Sequence, residues 1–251
     1  MPASLTMDPE RIVLITHIGM GDGIIQSGLA VALLDRFKEV AFPCYTHYLP
    51  TFRSIFANYS AITVFGIDHL LNESWGSPKE KTFSDAIQKT GWISHWQQLR
   101  LGVYSGRGIE LNFVKSFYDH ASVPYASMWR FCPIPNAWQR VQQIEPQLTN
   151  GSRRIFVHDD KTRNFVISPN RIPKPTPLSD IFRPPKDYSL SALSYAGCLI
   201  ASDEVHCIDS GFMWLADSLP VQGRLFLHRY ARWPRPKDFR YETRHFWNEI
   251  D

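Results

Sequence analysis

The sequence predicts an α/β protein built on parallel sheets, and three observations carry that prediction. Short apolar runs alternate with helical patterns from Arg11 to Phe65 in the order βαβαβ. A second set of strand and helix patterns follows Asn150-Gly151. In each set, one strand runs into a glycine-containing turn that opens a helix. At 251 residues the chain can hold one large domain or two smaller ones, and the paired strand-turn-helix units favour two.

Arg11 to His17 reads as a buried strand, because its run is apolar and β-branched and a glycine cluster ends it. Ile25, Leu29, Leu33 and Phe37 then recur four residues apart, which predicts a helix over 24–37 with Asp22 as its N-cap. Val40 to Tyr45 reads as a strand, Leu49 to Asn58 as a short helix and Ala61 to Phe65 as a third strand. Residues 68–150 are rich in Trp and Tyr and carry fewer signals, with a helix expected over 109–120 and another running up to Gln143. After the boundary at Asn150-Gly151, Arg154 to His158 reads as a strand and Phe165 to Ser168 as a further one. Pro169, Pro173, Pro175, Pro177, Pro184 and Pro185 mark an irregular connection. Leu190 to Ala201 reads as a helix, Glu204 to Ile208 as a strand, Ser210 to Leu219 as a helix and Leu225 to His228 as a last short strand.

Composition excludes several classes. With 44% hydrophobic and 20% charged residues, the chain is of the folded kind rather than disordered or collagenous. Cys44, Cys132, Cys198 and Cys207 are scattered without metal-ligand spacing, so neither a zinc site nor a disulfide framework is expected, and a reducing, cytoplasmic setting is. Met1 to Arg11 contains Asp8 and Glu10 and has no apolar core, unlike a signal peptide. Ile12 to Leu34 is interrupted by His17, Asp22 and glycines, unlike a transmembrane helix. The net charge of +3 hides an uneven distribution: Arg224 to Arg244 holds seven basic residues against Asp238 and Glu242.

The chemistry is expected at two turns, Gly19-Met20-Gly21-Asp22-Gly23 and Asp209-Ser210-Gly211. Each lies between a strand's carboxyl end and a helix, the edge at which open α/β sheets bind ligands. Glycine there lets backbone approach an anion, and the free N–H groups and dipole at a helix start favour phosphate. The spacing is neither the dinucleotide fingerprint nor a Walker loop. A tight turn with Asp22 as a simple cap is the plainer alternative for the first of them.

Gly19-Met20-Gly21-Asp22 followed by an apolar helix resembles the M-G-D segment of the heptosyltransferases, glycosyltransferase family 9. Asp209-Ser-Gly-Phe-Met-Trp-Leu-Ala-Asp-Ser-Leu219 is similar to that family's D-[ST]-G-x-x-H-L-A-x-x-L segment. The resemblance implies a GT-B-like fold: two Rossmann-like domains with parallel sheets, and a C-terminal segment that returns to the N-terminal domain. On this chain the domains would be an acceptor domain at 1–149, a reduced donor domain of few strands at 150–223, and a basic aromatic tail at 224–251 packed on the first domain. The implied activity is transfer of a hexosyl, pentosyl or heptosyl group from a nucleotide sugar to an acceptor hydroxyl with inversion. Asp22 would be the general base, and Asp209, Ser210 and Gly211 would cradle the donor diphosphate. One departure stands out, because Trp214 occupies the motif's histidine position.

Inverting transfer needs a carboxylate to take the acceptor proton and a cationic or dipolar cradle for the departing diphosphate. Lys161 and Arg163, just past the strand ending at His158, can assist that cradle, so the reading requires no metal or cofactor beyond the donor itself. His17, Gly19, Gly21 and Gly23 are placed on the acceptor side. His158-Asp159-Asp160 admits a metal reading but fits a polar turn better, and His206, inside an apolar strand, fits a core histidine. The partners expected are a nucleotide sugar and an acceptor glycan. The tail cations Arg229, Arg232, Arg235, Lys237 and Arg240 alternate with aromatic rings, which suits a nucleic-acid acceptor such as a hydroxylated DNA base. A non-catalytic nucleotide-sugar-binding module is the remaining alternative.

Overall fold

The computed structural model describes residues 8–68, 79–91, 93–105, 113–145, 153–172, 179–185, 189–231 and 241–251. Its contacts divide the chain into a first unit, Met1–Pro133, and a second, Ile134–Asp251. Each unit is built on one parallel sheet.

In the first unit the order is β1 (Asp8–Ile15), α1 (Met20–Ala32), β2 (Glu39–Tyr45), α2 (Leu49–Ile55), β3 (Ile62–Ile67), α3 (Glu80–Thr90), β4 (Trp96–Arg100), α4 (Phe113–His120) and α5 (Ser127–Arg130). The sheet order is β3-β2-β1-β4, so β1 is internal, and its last four residues are all buried. That is why the run Ile12-Val-Leu-Ile15 is continuously apolar: both faces of an internal parallel strand are covered. α1 lies directly on α5, because a Cβ on Gly28 would sit 2.5 Å from the Met128 carbonyl oxygen. Tyr118 on α4 donates its hydroxyl to the Ile25 carbonyl at 2.7 Å, tying α4 to the same helix.

The βαβαβ reading holds, with shifted boundaries. The expected helix at 24–37 starts earlier, at Met20, with Gly19 as its N-cap. Asp22 is therefore its third residue and not its cap. Gly21 and Gly23 are helical backbone, and Gly23 serves packing, since its Cβ would lie 2.2 Å from Cζ of the buried Phe52 ring. α3 and β4 have no counterpart in the sequence reading. Only Phe83 and Ile87 of α3 are buried, and only Trp96 of β4 is fully so, as befits an edge strand.

The second unit contains α6 (Ile134–Ala137), β5 (Arg153–His158), β6 (Ser179–Phe182), α7 (Ala196–Ile200), β7 (Glu204–Cys207), α8 (Gly211–Ser218), β8 (Arg224–His228) and β9 (Trp247–Ile250). Its sheet order is β6-β5-β7-β8-β9.

Four expectations are corrected here. The units part at Pro133–Ile134 rather than at Asn150-Gly151. The segment before 146 is stitched to the second unit: Gln143 Oε1 accepts from Gly197 N at 2.8 Å, and Ile144 N donates to the Ser194 carbonyl at 2.9 Å. The second sheet is not reduced: among the described residues it has five strands against four in the first. Its fifth strand, β9, comes from the supposed tail, drawn in because the buried Asp217 carboxylate accepts from Arg244 N, His245 N and Trp247 Nε1 at 2.9–3.0 Å. Finally, Phe165 to Ser168 is no strand. Asn164, left-handed at φ 59°, reverses the chain, and Asp160 and Phe165 form a single antiparallel bridge.

The proline-rich connection does carry one strand, β6, at the sheet edge, where a neighbouring proline interrupts no ladder. The helix expected over 190–201 is a 3-10 turn, Ala192–Tyr195, continued by α7. Among the described residues no helix is long and apolar enough to cross a membrane. No disulfide joins cysteines among the described residues.

Candidate functional site

The second unit gathers the expected donor-side residues at the carboxyl edge of its sheet. Ile208 and Asp209 follow β7, Ser210 is the N-cap of α8 with extended backbone (φ −156°, ψ 174°), and Gly211 is the first helical residue. A serine at this position ordinarily accepts from an N–H of the first turn. Here its side chain makes no such bond. Ser210 Oγ instead meets His158 Nδ1, at the end of β5, at 3.0 Å. The imidazole is held in turn against the Phe212 ring, with centroids 4.5 Å apart. Asp209 Oδ2 accepts from the Tyr241 hydroxyl, and the Tyr241 ring stands edge-on to Trp214 at 5.3 Å.

The loop after β5 supplies the charge. Asp159 Oδ2 accepts from Arg183 at 2.7 Å, and Asp160 pairs with Arg163 Nε at 2.6 Å. Arg163 also lies over the Phe165 ring at 5.3 Å, so its charge is tied into the loop itself. Lys161 is exposed at the same edge. Ser168 N donates to the Tyr230 hydroxyl at 3.0 Å, joining this loop to the end of β8. The carboxylates of His158-Asp159-Asp160 are thus committed to arginines. Among the described residues no group of three or more His, Cys, Asp or Glu is placed to hold a metal ion.

In the first unit, Asp22 stands in the first turn of α1, half-buried, where the helix dipole favours a negative charge. Gly19, Gly21 and Gly23 surround it in the chain, at the carboxyl end of β1. His17 does not face solvent there. It is 8% exposed, edge-on to Phe113 at 5.1 Å and Phe117 at 5.6 Å, and its Nε2 accepts from Val103 N at 3.3 Å. Burial lowers its pKa to about 4, so it is a neutral packed ring near neutral pH. Its role here is to shape the end of β1, and a direct substrate contact is not what its burial favours.

His206 is the core histidine expected. Its Nδ1 lies 3.0 Å from His228 Nε2, and its Nε2 lies 3.4 Å from Glu204 Oε2. Of the tail cations, Arg229 is buried and paired with Glu249 at 2.7 Å, which withdraws it from any nucleic-acid backbone. Arg232, Arg235, Lys237 and Arg240 lie outside the described residues. His158 and Tyr241 are the contributions that sequence reasoning missed as site residues. The signal for His158 was its place at a strand's carboxyl end, while nothing local marks Tyr241.

The class these observations define is an α/β protein of the GT-B kind, with two parallel-sheet units and a helix-opening turn at the carboxyl edge of each. Among solved structures the chain is similar to a family 9 glycosyltransferase from Veillonella parvula, at 9% identity and a TM-score of 0.57, covering 98% of this chain and 88% of that one. It is also similar to the Escherichia coli heptosyltransferase WaaC, at 12% identity and a TM-score of 0.47, covering 96% and 92% of the two chains. No family model matches the sequence. No curated protein matches it either. The fold is thus that of the family 9 glycosyltransferases.

Proposed function

We propose that the chain is an inverting glycosyltransferase that uses a nucleotide-activated sugar, hexosyl, pentosyl or heptosyl. The observation that carries this reading is the Asp209-Ser210-Gly211 turn. It opens α8 with no side-chain cap, at the carboxyl edge of a parallel sheet, within a fold whose solved neighbours are glycosyltransferases. The uncapped N–H groups of α8, with Lys161 nearby in the loop after β5, suit the diphosphate of a departing nucleotide. Asp22 is the general base. It takes the proton of the acceptor hydroxyl, whose oxygen attacks the anomeric carbon. The bond from that carbon to the phosphate oxygen breaks, and nucleoside diphosphate leaves with the electron pair.

Gly19 and Gly21 serve the acceptor side by leaving the backbone on either side of Met20 without side chains next to Asp22, whereas Gly23 admits the Phe52 ring. The chain needs only its donor as a small-molecule partner, and the acceptor is a glycan hydroxyl.

Calorimetric titration with ADP, UDP, GDP and CDP tests the reading. Binding of at least one is expected, followed by release of that nucleotide from its sugar conjugate. Failure to bind any of the four overturns the proposal. Binding with neither transfer nor donor hydrolysis reassigns the chain as a binding module.

A further inference from the structure

We infer that Tyr241 is a positioning residue of the donor site, holding the Asp209 carboxylate so that it does not cap α8; the inference rests on the function proposed above. Two side chains at this turn are of the kinds that most readily cap a helix, an aspartate and a serine. Both are engaged from other elements: Ser210 Oγ by His158 Nδ1 of β5, and Asp209 Oδ2 by the hydroxyl of Tyr241. The serine makes no cap bond to its helix. A helix start whose own capping groups are drawn aside keeps its N–H groups for an incoming anion. A carboxylate released at that point would compete with phosphate for the same donors and add negative charge beside it.

The way Tyr241 is held supports a positioning role. Its ring packs edge-on against Trp214, which is itself buried in the first turn of α8. Three residues further on, Arg244 N and His245 N are fixed on Asp217 near the other end of the same helix. The segment 241–247 therefore spans α8 from its opening turn to its last, and the hydroxyl meets Asp209 from a fixed base. Trp214, where the resemblance leads one to expect histidine, supplies the wall for that ring rather than a polar contact.

The test uses the full chain and the nucleoside diphosphate bound most tightly of ADP, UDP, GDP and CDP. Tyr241→Phe keeps the ring on Trp214 and removes only the hydroxyl. Its Kd is expected to rise about five- to tenfold. Adding Asp209→Ala is expected to recover most of that loss, because alanine can neither cap the helix nor repel phosphate. Unchanged affinity in Tyr241→Phe overturns the inference while leaving the function intact. So does a loss that Asp209→Ala fails to recover, which would mark the tyrosine as merely structural. A wild-type chain that binds none of the four nucleotides removes the function and this inference together.

Discussion

Ser210 Oγ lies 3.0 Å from His158 Nδ1, across 52 residues of sequence, so the hydroxyl at the start of α8 answers to the end of β5 and not to its own helix. If this bond keeps the turn open for a diphosphate, His158→Leu should weaken nucleoside diphosphate binding by releasing the serine to cap α8, and adding Ser210→Ala should recover most of that loss. A coupling of about 0.5–3 kcal/mol in a double-mutant cycle is expected. Strict additivity in the titration would show that the two side chains act separately.

Gly28 brings α1 against the backbone of α5, where a Cβ would stand 2.5 Å from the Met128 carbonyl oxygen. Backbone cannot swing aside as a side chain does. Gly28→Ala should therefore destabilise the first unit by about 1–3 kcal/mol, read in denaturant unfolding, despite alanine's better helix propensity. A stabilised variant would mean that α5 gives way at little cost.

Asp217 is a fully buried carboxylate in the last turn of α8, and burial raises its pKa although three donors oppose the shift. Asp217→Ala leaves Arg244 N, His245 N and Trp247 Nε1 without this acceptor. The loss should be about 2–4 kcal/mol. Faster amide exchange across 244–250 should accompany it, because β9 is an edge strand paired only with β8. Exchange rates that stay at the wild-type level would show that the ladder to β8 suffices without the carboxylate.

These elements also show what the sequence displays and what it hides. β1, β2 and β7 are internal strands, and covering on both faces forces the apolar runs by which they are read. β4 (Trp-Gln-Gln-Leu-Arg) lies at an edge and is half solvated, so no apolar run marks it. β6 hides among prolines for the same reason. β9 falls within the stretch that reads as a basic aromatic tail packed on the first domain, whereas its place in the second sheet depends on Asp217, thirty residues before Trp247. The Asp209-Ser210-Gly211 turn was legible from local pattern, but its partners were not. His158 and Tyr241 reach it only through strand order and segment packing, which are properties of the folded chain.

His17 gives the first unit a pH dependence. Burial lowers its pKa from 6.5 to about 4. Above pH 6.5 the ring is neutral in both folded and unfolded chains, and no penalty applies. As pH falls below 6.5 the unfolded chain binds a proton that the folded chain refuses until about pH 4. Stability is therefore lost through that window, by roughly 3 kcal/mol in full. His17→Gln keeps an acceptor near Val103 N and should flatten the unfolding free energy of the first unit across the same pH range. An unaltered slope would assign the acid sensitivity to another group. His228, whose pKa burial likewise lowers to about 4, should impose a parallel loss on the second unit.

Asp22 separates chemistry from folding. As the third residue of α1 it stands where the helix dipole favours a negative charge. Asp22→Asn should cost no more than about 1 kcal/mol in unfolding experiments. Nucleoside diphosphate binding, assigned to the second unit, should be unchanged. Transfer should fall by roughly 10²–10⁴, the contribution typical of a positioned general base. An Asp22→Asn chain that retains full turnover with intact donor binding would take the carboxylate out of the mechanism. A variant that loses donor binding as well would place Asp22 in the structure of the site rather than in its chemistry.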